Sequence, residues 1–189
     1  MAWVVWFTGL PGCGKTTIAE RAKTILAKEM GVPVRILQLD EIRRAITPNP
    51  RYTEEERDIV YASLAYMGKL LSEEGRNVII DATANRRRYR DLARKLIPGF
   101  AEVYIRAPLS VCMKREAERK AKFSPKNIYN KAATEKAAVP GVNAVYEEPL
   151  RAEISVDTTI MNSDESARFI AAKIMDMFAT KRQKDKSIN

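Results

Sequence analysis

The chain has 189 residues, 46% of them hydrophobic and 30% charged, which suits one globular domain with a sizeable core. No apolar run approaches the roughly 20 residues of a membrane span, so no membrane partner is expected. Histidine is absent and there are two cysteines, which removes imidazole acid–base chemistry, most zinc sites and any disulfide framework. An apolar strand is expected within three residues of the start, so no signal peptide is predicted and the expected location is cytoplasmic. The net charge of +9 suits an anionic partner. A phosphate-bearing small molecule accounts for it. Nucleic acid stays open but is not favoured, because basic and aromatic residues are not interleaved.

Trp3-Val4-Val5-Trp6-Phe7 reads as a buried strand, about 3–8. Gly9-Leu10-Pro11-Gly12-Cys13-Gly14-Lys15-Thr16 follows it and fits G-x-x-x-x-G-K-[ST]. A helix is expected next, about 15–29, ending at Gly31. A second strand covers Val34 to Leu39 and ends at Asp40. Thr53-Glu54-Glu55-Glu56 is a capping box, so these glutamates read as helix-start residues rather than catalysts. The helix it opens carries Val60, Leu64, Met67 and Leu71 on one face. A third strand, Asn77 to Asp81, leads into a basic helix of about 86–96. Glu102 to Ile105 is a fourth strand, and Ser110 is expected to cap a helix reaching about Lys122. Residues 120–150 lack periodicity and contain Pro125, Pro140, Gly141 and Pro149. Ile154 to Asp157 is a fifth strand, and Ser163-Asp164-Glu165 caps a last helix with Ile170, Ile174 and Met177 inward. The fold expected is α/β: a doubly wound, five-stranded parallel sheet of the P-loop kinase type. It forms one domain over 1–180, with a basic lid over about 116–150 and a disordered basic tail over 181–189. The ligand crevice belongs at the carboxyl ends of the strands.

The loop points to a nucleoside triphosphate as donor, with Mg²⁺. Gly9, Gly12 and Gly14 let the N–H groups of the loop, with those of Cys13, Lys15, Thr16 and Thr17, converge on phosphate. The helix N-terminus adds partial positive charge. Lys15 is the catalytic cation for the β- and γ-phosphates, and the Thr16 hydroxyl is a Mg²⁺ ligand. Cys13 reads as a small filler rather than a nucleophile. A guanine-reading N-K-x-D sequence is absent, and a lid that excludes water favours transfer to a bound small-molecule acceptor. Asp40 is the candidate base for the acceptor hydroxyl, or a Mg²⁺ organiser; its structural alternative is a helix N-cap. Arg43, three residues on, can grip an anionic substrate. Asp81 is a second candidate Mg²⁺ carboxylate, again against an N-cap alternative. Of Arg86, Arg87, Arg88 and Arg90, one or two are expected to bind anion. Arg115 and Arg119 form an i, i+4 pair on the lid helix and can neutralise a transferring phosphoryl group, with a solvated basic face as the alternative.

Six segments together resemble the adenylylsulfate kinase family, which phosphorylates the 3′-hydroxyl of adenylylsulfate with Mg·ATP. They are Phe7 to Thr17; Leu39-Asp40-Glu41-Ile42-Arg43, like the end of L-D-G-D-x-x-R; Tyr52 to Arg57, like F-S-x-x-D-R; Cys112 to Glu116, like C-x-x-R-D; Lys126 to Ala132, like K-G-L-Y-K-K-A; and Gly141 to Pro149, like G-I-D-x-P-Y-E-x-P. The resemblance implies nucleotide contact by Arg115, substrate contact by Arg43 and Arg57, and a lid contact by Lys131. A homodimer stays open as the assembly. The chain departs from the pattern at Gln38, in place of the first Asp of D-G-D, and at Val60, Ala62, Ser63 and Ala84 to Arg87. It also has Val139 where a phenylalanine would stack on the substrate adenine. Asp81-Ala82-Thr83 with Asp40-x-x-Arg43 also resembles kinases of polynucleotide 5′-ends or aminoacyl-tRNA, so a nucleoside, nucleic-acid end or polar metabolite is the second acceptor class. A non-catalytic ATP- or RNA-binding protein is the third reading.

Overall fold

The computed structural model describes residues 2–118, 128–134 and 138–186. Five parallel strands form one sheet, β1 (Val4–Thr8), β2 (Val34–Gln38), β3 (Asn77–Asp81), β4 (Phe100–Arg106) and β5 (Ile154–Asp157), in the order β2-β3-β1-β4-β5. The helices between them are α1 (Lys15–Lys28), α2 (Leu39–Ile46), α3 (Glu54–Glu73), α4 (Arg87–Leu96), α5 (Leu109–Glu118), α6 (Ile128–Thr134) and α7 (Ser163–Lys186). This is the expected doubly wound sheet. The two faces of β1 feed different cores. Trp3, Val5 and Phe7 pack with Ile18, Ala22 and Leu26 of α1 and Ile170 and Ile174 of α7. Val4 and Trp6 pack with Val60 and Leu64 of α3 and Ala93 of α4. Because β1 is buried on both faces, it reads as a continuous apolar run rather than an alternating one.

Several local expectations shift. Thr53 caps α3 as predicted, its hydroxyl accepting from Glu56 N at 3.2 Å. On α3 the buried positions are Arg57, Val60, Tyr61, Leu64, Ala65 and Gly68, whereas Met67 and Leu71 are only partly covered. Gly68 is there because a Cβ would lie 3.1 Å from Ile80 Cδ1. Ser110 is not a cap: α5 begins at Leu109, and Pro108 O accepts from the amides of Val111 and Cys112. Asn162, rather than Ser163, caps α7, accepting from the amides of Asp164 and Glu165 while Glu165 accepts from Asn162 N at 2.8 Å. Helix α7 runs on to Lys186, so residues 181–186 are helical where a disordered tail was expected, and 187–189 lie outside the described residues. The lid expectation is only partly covered, because Arg119, Lys120 and Lys122 also lie outside them. Among the described residues, no helix is long and apolar enough to cross a membrane.

The arginine run after β3 is a correction. None of its four members lines the main cavity; they fasten the fold. Arg86 pairs with Glu54 and Glu147, Arg88 pairs with Asp58, and Arg87 Nε donates to Glu148 O at 2.8 Å. Arg90, 2% exposed, pairs with the buried Glu102 and donates to the carbonyls of Ala84 and Glu147. Arg87, Arg88 and Arg90 stand close together on α4, so their side chains spread around it and reach carboxylates on α3 and β4 and backbone carbonyls of the 145–149 segment. Burial pushes the Glu102 carboxyl above its usual range, against the pull of Arg90 and Arg94. Removing the cation leaves that carboxylate buried and underpaired. Arg90→Met is therefore expected to destabilise the fold by about 3–5 kcal/mol, and Arg90→Met/Glu102→Leu to recover part of the loss, as read by thermal unfolding.

Candidate active site

Glycine chemistry builds the floor of the site. Gly9, Gly12 and Gly14 all have positive φ, at 151°, 82° and 107°. A Cβ on Gly9 would lie 2.1 Å from Ile105 O, and one on Gly12 would lie 2.3 Å from Cys112 O. The loop therefore passes tightly between the end of β4 and α5, and only glycine permits that path. Gly14, left-handed, opens α1, whose first residue is Lys15. Lys15 is buried, its Nζ 2.9 Å from both Gly9 O and Leu10 O. Cys13 is fully buried, and burial pushes its thiol above the usual range, which fits a filler rather than a nucleophile. Thr17 is exposed on the first turn of α1.

A cavity of about 410 Å³ opens over this loop. Lys15, Thr16, Asp40, Arg43, Arg57, Asp81 and Lys131, seven of the residues proposed from the sequence, line it together. Asp81 ends β3 and accepts a hydrogen bond from Thr16 Oγ1 at 2.7 Å. Burial raises its carboxyl above the ordinary value, opposed by the charge of Lys15 and the Thr16 hydroxyl. Asp40 sits inside the first turn of α2, where Gln38 holds the N-cap position, so it is not the N-cap of that helix. Asp81 is likewise a strand residue rather than a cap.

The far wall carries the two proposed grips. Arg43 Nη1 donates to Glu56 Oε1 at 2.9 Å and its guanidinium lies 5.0 Å from the centre of the Tyr52 ring. Arg57 donates to three neutral oxygens, Tyr52 O at 3.1 Å, Asn85 Oδ1 at 3.3 Å and Ala138 O at 2.8 Å. The roof comes from α6 and the segment after it. Tyr129 donates to Pro11 O at 2.7 Å, which ties α6 to the phosphate loop. Asn143 accepts from Val139 N at 2.7 Å and donates to Ala132 O at 3.3 Å, which sets Val139 against the cavity. Thr8 and Tyr146 share a hydrogen bond at 3.0 Å, and burial raises the Tyr146 phenol.

Arg115 stands apart from the cavity lining. It donates to Thr158 Oγ1 at 2.7 Å and Thr158 O at 2.9 Å, and the Thr158 hydroxyl donates to Cys13 O at 3.1 Å. It thus joins α5, the turn after β5 and the phosphate loop on the outer side of the P-loop. Sequence reasoning assigned no role to Thr158 or Asn85. Thr158 was signalled by its place one residue beyond a parallel strand, where α/β folds put ligand groups. Asn85 carries no such signal, because its partners Arg57 and Val145 are distant in sequence.

A strand, a glycine loop and a helix opening at Lys15, set at the carboxyl edge of a parallel sheet, are the arrangement of P-loop phosphotransferases. Comparison with known proteins narrows the class. The family model for adenylylsulphate kinase matches residues 1–157. The probable adenylyl-sulfate kinase of Pyrococcus abyssi is 38% identical over 176 residues, covering 93% of this chain and 96% of the relative. That of Archaeoglobus fulgidus is 39% identical over 159 residues, covering 84% and 97%. The solved structure of the Mycobacterium tuberculosis APS kinase in complex with AMPPNP and APS superposes with a TM-score of 0.80 at 26% identity, covering 92% of this chain and 97% of that one. The chain belongs to the adenylylsulfate kinase family.

The close pass of the loop makes a direct prediction. Gly12→Ala places a methyl against Cys112 O at a left-handed φ, and is expected to weaken AMPPNP binding by ~100-fold (about 2.7 kcal/mol) in titration calorimetry.

Proposed function

We propose that this protein transfers the γ-phosphoryl group of ATP to the 3′-hydroxyl of adenylylsulfate. The observation that carries the reading is the cavity whose lining brings together Lys15, Thr16, Asp40, Arg43 and Arg57. Family membership and the nucleotide and acceptor named for the Mycobacterium tuberculosis neighbour support the choice of both substrates. In this reading the amides of Gly12 to Thr17 and Lys15 hold the β- and γ-phosphates. Asp40 takes the proton of the acceptor hydroxyl as its oxygen bonds to the γ-phosphorus. The bond from that phosphorus to the bridging oxygen breaks and ADP leaves. Arg43 and Arg57 hold the anionic part of the acceptor, and Lys131 neutralises charge from the α6 side. Arg115 contacts the nucleotide side through its place beside Thr158.

Thr16 and Asp81 fit a magnesium ion, because a hydroxyl and a carboxylate in contact at the phosphate loop offer the hard oxygen donors that ion prefers. Mg²⁺ bound there would neutralise charge on the phosphates. Asp40 can support it from the other side of the cavity.

ADP release with a panel of acceptors tests the reading: adenylylsulfate, nucleosides, a 5′-hydroxyl oligonucleotide and polar alcohols. Release above background with adenylylsulfate is expected, whereas release only with another acceptor overturns the acceptor assignment. RNA binding with a steep salt dependence and no turnover would favour a binding protein instead. Asp40→Asn is expected to lower kcat by about 10²–10⁴ with little change in either KM, and near-normal kcat would remove Asp40 from the base role.

A further inference from the structure

Glu56 is the fourth residue of the capping box, where a glutamate ordinarily turns back to the N-cap amide. Its carboxylate does something else here. Oε1 accepts from Arg43 Nη1 at 2.9 Å, and Oε2 accepts from Arg51 N at 2.6 Å. Both members of the Arg43–Glu56 pair are largely buried, at 10% and 14% side-chain exposure, so the pair is poorly screened by solvent and stronger than a surface one. Glu56 stands behind the cavity wall, while Arg43 and Tyr52 form it.

Tyr52 gives the second half of the argument. Its φ is +57°, in the left-handed region that a bulky side chain rarely adopts. Such a conformation persists only where the surroundings hold it. The Glu56 bond to Arg51 N fixes the residue before it, and Arg57 Nε fixes Tyr52 O after it. The ring so placed covers one face of the Arg43 guanidinium. One carboxylate therefore sets both the direction of a flexible cation and the turn that carries its aromatic cover.

We infer that Glu56 is a positioning residue for the acceptor: it acts through Arg43 and the Arg51–Tyr52 turn and touches no substrate. The inference rests on the proposed function for the role of Arg43. It also separates the two arginines. Arg57 presents a charge held by neutral oxygens, whereas Arg43 presents a guanidinium aligned by a carboxylate, so its contribution is direction more than net charge.

Steady-state kinetics of the full chain test this. Glu56→Gln keeps the side-chain shape and removes the charge. It is expected to raise KM for adenylylsulfate about tenfold while KM for ATP moves less than about twofold. In an Arg43→Met background the same substitution is expected to change that KM by less than about threefold. Equal effects on both KM values, or a full tenfold effect without Arg43, would overturn the inference. A second measurement is independent of the acceptor. With nitrogen-15 arginine, the Arg43 guanidinium N–H signals are expected to be resolved and slowly averaging in wild type, and averaged in Glu56→Gln. Persistence of the resolved signals overturns the role of Glu56. Wild-type protein with no turnover of adenylylsulfate overturns the acceptor assignment alone, since the spectroscopic result then still decides Glu56.

Discussion

The register of three parallel strands is the constraint from which the site follows. Asp81 lies level with Phe7 of β1 on one side and with Gln38 of β2 on the other. The three chains therefore leave the sheet at one height. The phosphate loop emerges after Thr8, α2 with Asp40 emerges after Gln38, and Thr83 emerges after Asp81. A slip of one residue in β3 would turn Asp81 to the opposite face and take its carboxylate away from Thr16. The tight passage of Gly9 and Gly12 beneath β4 and α5 locks the remaining side. Segments far apart in the sequence thus face one space.

Charge inside this frame follows a consistent rule. A basic protein has many cations to place, and those that face the cavity are kept apart from those that fasten the scaffold. Arg86, Arg88 and Arg90 meet carboxylates at Glu147, Asp58 and Glu102. They hold the 145–149 segment and α3 against the sheet. Arg57 and Lys15 meet carbonyl and amide oxygens instead. Such oxygens orient a cation while leaving its full charge for an anion in the cavity. Arg43 is the exception, and its carboxylate partner makes it a group of fixed direction.

How much of this was legible depended on distance along the chain. The phosphate loop was read in full because its chemistry is local: eight residues, a strand before and a helix after. Asp40 and Asp81 were legible because strand ends are marked by where an apolar run stops, and the fold class converts a strand end into a place in the crevice. The arginines after β3 were misread for the opposite reason. Their partners Glu54, Glu147 and Glu102 lie on other elements, and periodicity says which face a residue shares but not what the tertiary fold brings to that face. Glu56 shows a subtler limit. Thr53 does cap α3, but the Glu56 carboxylate goes to Arg43 and the Arg51 amide, a use that the local motif does not disclose. Ser110 and Ser163 failed as caps because Pro108 and Asn162 supply better geometry one or two residues earlier.

At the phosphate loop, Lys15 meets the carbonyls of Gly9 and Leu10, and Thr16 meets Asp81 of β3. The rest of the cavity lining comes from α2, α3, β3, α6 and the segment at Val139. Val139 brings a short aliphatic side chain to a wall whose aromatic members are Tyr52 and Tyr61. A branched alkyl group offers burial to a bound ring but no stacking partner. On the proposed function, selectivity would then rest on the polar side chains of this wall, Arg57 with its charge held by neutral oxygens and Arg43 with its guanidinium aligned by Glu56.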